Sequence, residues 1–162
     1  MRAVLSIGSN LEDSWTHLES VTHEFADEIV SASGVYSTPP WGGIEQGDFL
    51  NQILIVDVDQ APLALLRRCQ GLEEAANRVR EVRWGPRTLD VDIVSLHDDS
   101  GAEIVSEDPE LTLPHPRAHE RAFVLVPWLD ADPEATLRGT SITECLAGID
   151  QQEIEQIRLQ ER

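Results

Sequence analysis

The chain has 162 residues and no lysine; all twelve of its basic residues are arginine. That absence excludes several mechanisms, because a Walker-type phosphate loop, a Schiff-base enzyme and a protein kinase strand each need a lysine at a defined place. Any nucleotide chemistry must run on arginine and metal. Cysteine is almost missing as well: Cys69 and Cys145 stand in no paired motif, so neither a zinc site nor a disulfide framework is expected, and a reducing cytoplasm fits. No apolar run approaches the roughly 18 residues of a membrane helix, and no charged-then-apolar leader opens the chain, so neither insertion nor export is expected. Basic charge is scarce, with 12 basic against 30 acidic residues and a formal net charge of -18. Such a field repels nucleic acid and anionic membranes unless it is reversed locally. The aromatic, basic sheet motif of RNA-binding domains is also absent.

What is present is concentrated in one stretch. Six of the twelve arginines, Arg67, Arg68, Arg78, Arg80, Arg83 and Arg87, fall within 21 residues. A solvated helix face accounts for Arg67 and Arg68 better than for the other four. The cluster runs into Arg83-Trp84-Gly85-Pro86-Arg87-Thr88-Leu89-Asp90-Val91-Asp92-Ile93-Val94. From Leu89 onward apolar residues alternate with Asp90 and Asp92, the period of a half-buried strand, so both aspartates project from one face. Carboxylates at i and i+2, about 7 Å apart at their Cα atoms, can share divalent cations. Magnesium suits that hard oxygen environment, completed by water and phosphate. Taken alone, Asp-x-Asp is more often a solvated strand face.

The length suits one domain, able to bury about two thirds of its extended surface, and no internal repeat or linker divides residues 1–162. Met1 to Ile7 reads as a buried strand closed by Gly8-Ser9-Asn10, and Leu11, Trp15, Leu18, Thr22 and Phe25 follow at helical spacing. Asn10 and Asp13 resemble an N-cap and its partner, a reading preferred here over phosphate binding by the glycine turn. Ile29 to Thr38 and Phe49 to Val58 are rich in β-branched residues and read as strands. Between them Pro39 to Asp48 is a glycine-hinged loop, either a plain connection or a wall over a ligand. Pro62 opens a helix through Leu65, Leu66, Cys69, Leu72 and Ala76. Beyond the aspartate strand come an acidic connection, His97 to Asp108, a turn at Leu111 to Pro116, and an apolar stretch, Ala122 to Leu129, that periodicity assigns to neither helix nor strand. In the tail, Ser141 to Arg162, a short apolar helix precedes residues 148–162, whose Gln and Glu composition suggests fraying. Strand, helix, strand, strand, helix, strand is the pattern of an antiparallel sheet with helices on one face. The expected fold is an α+β sandwich of the ferredoxin-like kind.

Five segments occurring in this order closely resemble the 6-hydroxymethyl-7,8-dihydropterin pyrophosphokinase family. They are Ile7-Gly8-Ser9-Asn10-Leu11, Tyr36-Ser37-Thr38-Pro39-Pro40, Phe49-Leu50-Asn51, Arg83 through Val94, and Leu113-Pro114-His115-Pro116-Arg117 with His119-Glu120-Arg121-Ala122-Phe123. The resemblance implies an enzyme of folate biosynthesis that moves diphosphate from ATP to the pterin hydroxyl and releases AMP; a monomer is expected. It implies that Asp90 and Asp92 carry two magnesium ions and that Arg78 and Arg87 clamp phosphates and assist transfer. Nucleotide contacts implied by it are Gln70, Glu73, Arg80, Arg83, Trp84, Thr112, His115, Arg117 and Arg121. For the pterin it implies Thr38, Pro39, Trp41, Phe49, Asn51, Asp90 and Phe123.

Each assignment has a plainer competitor: a polar helix face for Gln70 and Glu73, a turn histidine between prolines for His115, core packing for Phe49 and Phe123, solvent polarity for Glu120. A zinc pair from His115 and His119 is disfavoured by Pro116 and by the want of a third ligand. The segment Glu81-Val82-Arg83 is one residue shorter than the family pattern, the connection from His97 to Asp108 is longer, and Trp41 is bulkier than the aliphatic residue of some relatives. Two other functions compete, a noncatalytic nucleotide-binding module of ferredoxin-like fold and a metal-dependent phosphohydrolase with water as nucleophile. Products separate them.

Overall fold

A computed structural model describes residues 1–10, 13–39, 49–77 and 89–161. Its main sheet begins with β1 (Arg2–Ser9), which leads through α1 (Ser14–Glu24) to β2 (Ile29–Ala32) and β3 (Val35–Thr38). β4 (Phe49–Asp57), α2 (Pro62–Asn77) and β5 (Asp90–His97) follow. The remaining chain forms a small hairpin, β6 (Ser106–Asp108) and β7 (Leu111–Leu113), then a 3-10 turn (Ala118–Glu120) and α3 (Ala122–Ala131). It ends in a second hairpin, β8 (Thr136–Leu137) and β9 (Thr140–Ser141), then α4 (Ile142–Ala147), α5 (Gln151–Glu155) and β10 (Arg158–Gln160). The sheet order is β10-β3-β4-β1-β5, with β2 also paired to β4, and each of these pairings is antiparallel. This is the expected ferredoxin-like α+β arrangement.

Helices cover both faces of the sheet, where the sequence suggested one. The reason is visible in the strands: Ala3-Val4-Leu5 on β1 and Ile53 through Val56 on β4 are continuously buried, as strands covered on both sides are. On the first face Ala3, Leu5, Ile7, Leu54, Val56, Val91 and Ile93 pack under Leu18 and Val21 of α1, Phe25 at its C-cap, and Leu65 and Cys69 of α2. On the second, Val4, Ile53, Ile55 and Val94 pack under Val124, Leu125 and Trp128 of α3 and Ile142 of α4. Ala122 to Leu129 is therefore helical; it is apolar on most sides because it is enclosed, which removes the periodic signal.

Three local expectations change. α1 begins at Ser14 with Asp13 at the N-cap position and no side-chain cap, while Asn10 is buried beyond the end of β1. Pairing of β1 persists to Ser9 opposite Leu50, so the chain is still extended where the cap was expected. The run from Ile29 to Thr38 is broken at Ser33-Gly34, where Ser33 bonds Ile53 through both its amide and its hydroxyl, and Asp130 of α3 accepts from the Gly34 amide at 2.9 Å. The tail expected to fray contains α5, capped by Asp150, and β10, which pairs with β3. β3 needs a partner for its outer backbone groups, a tertiary requirement invisible in the composition of the tail.

Arg68 joins the two helices of the first face. Its guanidinium meets Glu28 at 2.6 Å and Glu24 at 3.0 Å and lies 4.0 Å from the Phe25 ring centroid, while Arg67 bonds Gln70 and Glu110. Both therefore answer to the plainer helix-face reading.

Candidate active site

α3 and α4 shield only part of the second face. Beyond the apolar patch of Val4, Ile53, Ile55 and Val94, the same sides of the strands carry Ser6 and Gly8 on β1, Asn51 and Phe49 on β4, Thr38 on β3, and Asp90 and Asp92 on β5. With Arg117, Glu120 and Arg121 from the approach to α3, Phe123 from its first turn, and Glu153 from α5, they line a cavity of about 550 Å³. Larger hollows among the described residues, of about 800, 850 and 820 Å³, lack this convergence; they lie around Met1, Asp57 and Asp132, around His119, Arg138 and Cys145, and around Trp15, His23 and Gln52.

The register explains the convergence. Gly8 lies opposite Asn51 on one side and opposite Asp90 on the other, and Ser6 lies opposite Asp92. A Cβ on Gly8 would come within 3.0 Å of Asn51 Oδ1, so glycine lets the Asn51 amide lie across the strand. Asn51, 6% exposed, donates through Nδ2 to Thr38 Oγ1 at 3.3 Å. On β5 the pairing steps from Ile93 opposite Leu5 to Ser95 opposite Val4, a bulge at Val94. Asp90, Asp92 and Val94 share the second face, and the bulge then returns Leu96 to the first core. Val91 and Ile93 bury their side chains under α2 and hold the half-buried aspartates toward the cavity.

The opposite wall carries both signs of charge, Arg117 and Arg121 beside Glu120 and Glu153. The Arg121 guanidinium lies over the Phe123 ring, 5.6 Å from its centroid. His115 is set by its amide, which donates to Val94 O at 2.8 Å, and its Nδ1 accepts from the Arg117 amide at 3.2 Å. That bond requires a neutral ring. Partial burial favours the same state by holding the His115 pKa below the ordinary value, against a smaller opposing pull from Asp92.

Of the residues singled out in the sequence, Thr38, Phe49, Asn51, Asp90, Asp92, Arg117, Arg121 and Phe123 meet around one cavity. His115 lies in the adjoining hollow. Pro39 is exposed next to Thr38, and Thr112 donates to Asp108 O on the small hairpin. Gln70 and Glu73 stand on α2, on the far side of the sheet from that cavity; Gln70 accepts from Arg67 and Glu73 from the Val91 amide. Arg78, Arg80, Arg83, Trp84, Arg87 and Trp41 lie outside the described residues. Among the described residues no three His, Cys, Asp or Glu side chains gather to hold one ion. Two carboxylates on one strand face fit a cation whose shell is completed by water and phosphate, as magnesium's is, and do not make an all-protein cage.

The family model described as 7,8-dihydro-6-hydroxymethylpterin-pyrophosphokinase matches residues 4–133. The chain belongs to this family. Among curated relatives, the 2-amino-4-hydroxy-6-hydroxymethyldihydropteridine pyrophosphokinase of Mycobacterium tuberculosis is 45% identical over 167 residues, covering 98% of this chain and 89% of its own. Those of Mycobacterium leprae and Bacillus subtilis are 48% and 36% identical, over 98% and 86% of this chain and 88% and 83% of theirs. A crystal structure of a Plasmodium falciparum HPPK-DHPS triple mutant aligns with a TM-score of 0.65 at 15% identity, over 90% of this chain and 44% of that one. That likeness is one of fold, and the chain spans less than half of that longer protein.

Sequence reasoning in this pyrophosphokinase-family chain passed over Ser6, Gly8, Ser9, Glu120 and Glu153, all on the cavity lining. The Gly8-Ser9-Asn10 turn carried a signal, a glycine closing a strand-forming run, and was read through Asn10 and Asp13 as a helix cap. Glu153 carried none, since its place depends on the tail returning to the sheet.

Proposed function

We propose that this chain transfers the diphosphate group of ATP to 6-hydroxymethyl-7,8-dihydropterin, giving AMP and the pterin diphosphate ester, a step of tetrahydrofolate biosynthesis. The observation that carries the reading is the family match over residues 4–133 together with the cavity that joins Asn51, Asp90, Asp92 and Arg121. The pterin hydroxyl oxygen bonds to the β-phosphorus of ATP, and the bond from that phosphorus to the bridging α-phosphate oxygen breaks. Such a transfer asks the protein for alignment and charge stabilisation and little covalent chemistry.

Asp90 and Asp92 hold magnesium, two ions with ATP bound, and the metal when bound neutralises phosphate charge in the transition state. Arg121 donates to phosphate oxygens from the opposite wall, where a planar guanidinium can make two bonds to one phosphate. Arg117 and neutral His115 sit beside it as further donors. Arg78 and Arg87 complete the clamp, with Arg80, Arg83, Trp84 and Thr112 on the nucleotide. The pterin stacks between Phe49 and Phe123, with the Asn51 amide on its polar edge and Thr38, Pro39 and Trp41 around it. The formal net charge of -18 supports a reading without a nucleic-acid partner, and among the described residues no helix is long and apolar enough to cross a membrane.

The test is a quenched reaction of purified protein with ATP, magnesium and 6-hydroxymethyl-7,8-dihydropterin, with products resolved by mass. Equal amounts of AMP and pterin diphosphate, both lost with EDTA, are expected. Folded protein that binds ATP and yields neither would sink the reading in favour of a noncatalytic nucleotide-binding module. Free phosphate in place of the ester would indicate a phosphohydrolase.

A further inference from the structure

Val91 stands between the two aspartates on β5, and its amide donates to Oε2 of Glu73 on α2 at 3.0 Å. β5 is the last strand of the main sheet, paired along one side with β1, so its outer backbone groups must find partners elsewhere. At this point the partner is a carboxylate from the helix behind the sheet. The bond acts on the peptide unit joining Asp90 to Val91. The Val91 side chain, 3% exposed, is locked into the core beneath α2, which also buries Cys69, one turn before Glu73. With the side chain and the amide both held, the strand has little freedom to rotate about its axis, and Asp90 and Asp92 stay turned to the cavity.

We propose that Glu73 is a positioning residue for the metal-holding aspartates, acting through the Val91 amide from the face of the sheet opposite the cavity. The inference rests on the magnesium reading above, and it replaces the nucleotide contact that the family resemblance suggested for Glu73. Hydrogen-bond partners behind metal ligands commonly control affinity by about 10- to 100-fold.

Two variants test it. Glu73→Gln keeps an oxygen acceptor for the Val91 amide, whereas Glu73→Ala removes it. Amide hydrogen exchange at Val91, measured on the ligand-free protein by NMR, is expected to be protected in the parent and in Glu73→Gln and at least about tenfold faster in Glu73→Ala. Manganese affinity, measured by electron paramagnetic resonance with a nonhydrolysable ATP analogue present, is expected to fall by about tenfold in Glu73→Ala and to be largely restored in Glu73→Gln. An unprotected Val91 amide in the parent protein would overturn the proposal without any variant. So would a folded Glu73→Ala with parental manganese affinity, or a Glu73→Gln as weak as the alanine form. Asp92→Ala is the control: if it also leaves manganese affinity unchanged, the magnesium reading itself is wrong, whatever Glu73 does.

Discussion

The second face of the sheet has two halves built on the same strands and treated in opposite ways. One half, Val4, Ile53, Ile55 and Val94, is sealed by Trp128, Leu125 and Ile142. The other, Ser6, Gly8, Asn51, Asp90 and Asp92, lies beyond that seal and opens into the cavity. Strand alternation puts both halves on one side of the sheet, so the switch from core to site takes two residues: Ile53 to Asn51 on β4, Val94 to Asp92 on β5. The difference teaches that the covered half acts as a rigid base for the open one. Polar residues are affordable on the open half because solvent and substrate meet them there.

The largest expected effect breaks the open half alone. Asp92→Ala should lower turnover by on the order of a thousandfold or more, since it removes half of the proposed metal platform. The fold should survive, because Asp92 is half-buried and outside both cores. Turnover measured beside the thermal unfolding midpoint checks both points; parental turnover would remove the metal assignment.

Breaking the covered half should do the reverse. Trp128→Ala empties a site that is 1% exposed and should cost about 3–5 kcal/mol of folding stability, read from urea unfolding. Activity per folded molecule should change far less than in Asp92→Ala. A variant that stayed fully stable but lost activity would show that the two halves are not separable as described.

Gly8 lies within the open half, and a smaller effect is expected there. Gly8→Ala places a Cβ 3.0 Å from Asn51 Oδ1, so the amide must shift by a few tenths of an ångström. The KM for the pterin should rise roughly fivefold, about 1 kcal/mol, with kcat nearly preserved. A change in kcat alone would point away from Asn51.

The smallest effect is a pH dependence at the rim. Burial holds the folded-state pKa of His115 below its ordinary value of 6.5. The unfolded chain therefore takes up a proton first as pH falls, and stability should be lost progressively from about the unfolded value down to the depressed folded one. Urea midpoints at pH 7.5 and 5.5 should fall further apart in the parent than in His115→Asn. Equal shifts in both would remove His115 as the cause.

Much of this organisation was legible in the residues. Alternation around Asp90 and Asp92 announced a strand with both carboxylates on one face, and the order of strands and helices announced the antiparallel sheet. Glu73 and Gln70 show the limit: their spacing placed them on one helix face, but only packing revealed that α2 covers the side of the sheet away from the cavity. Glu73 there accepts a hydrogen bond from the Val91 amide of β5. Arg83 to Thr88, the part of the strongest motif before Leu89, lie outside the described residues together with Arg78 and Arg80, so the part of these arginines in the clamp rests on the family pattern.

Local chemistry by itself determined β1, β4, α2 and β5 and the placing of Asp90 and Asp92 on one strand face, because periodicity, charge and turn propensity act over a few residues. Tertiary structure alone decided that helices cover both faces, that Ala122 to Ala131 is a helix, that the tail returns as β10 to close an edge, and that Gly8 and Glu153 meet at one cavity. Those outcomes depend on which distant backbone edges and apolar faces need partners, and that need exists only once the sheet has formed.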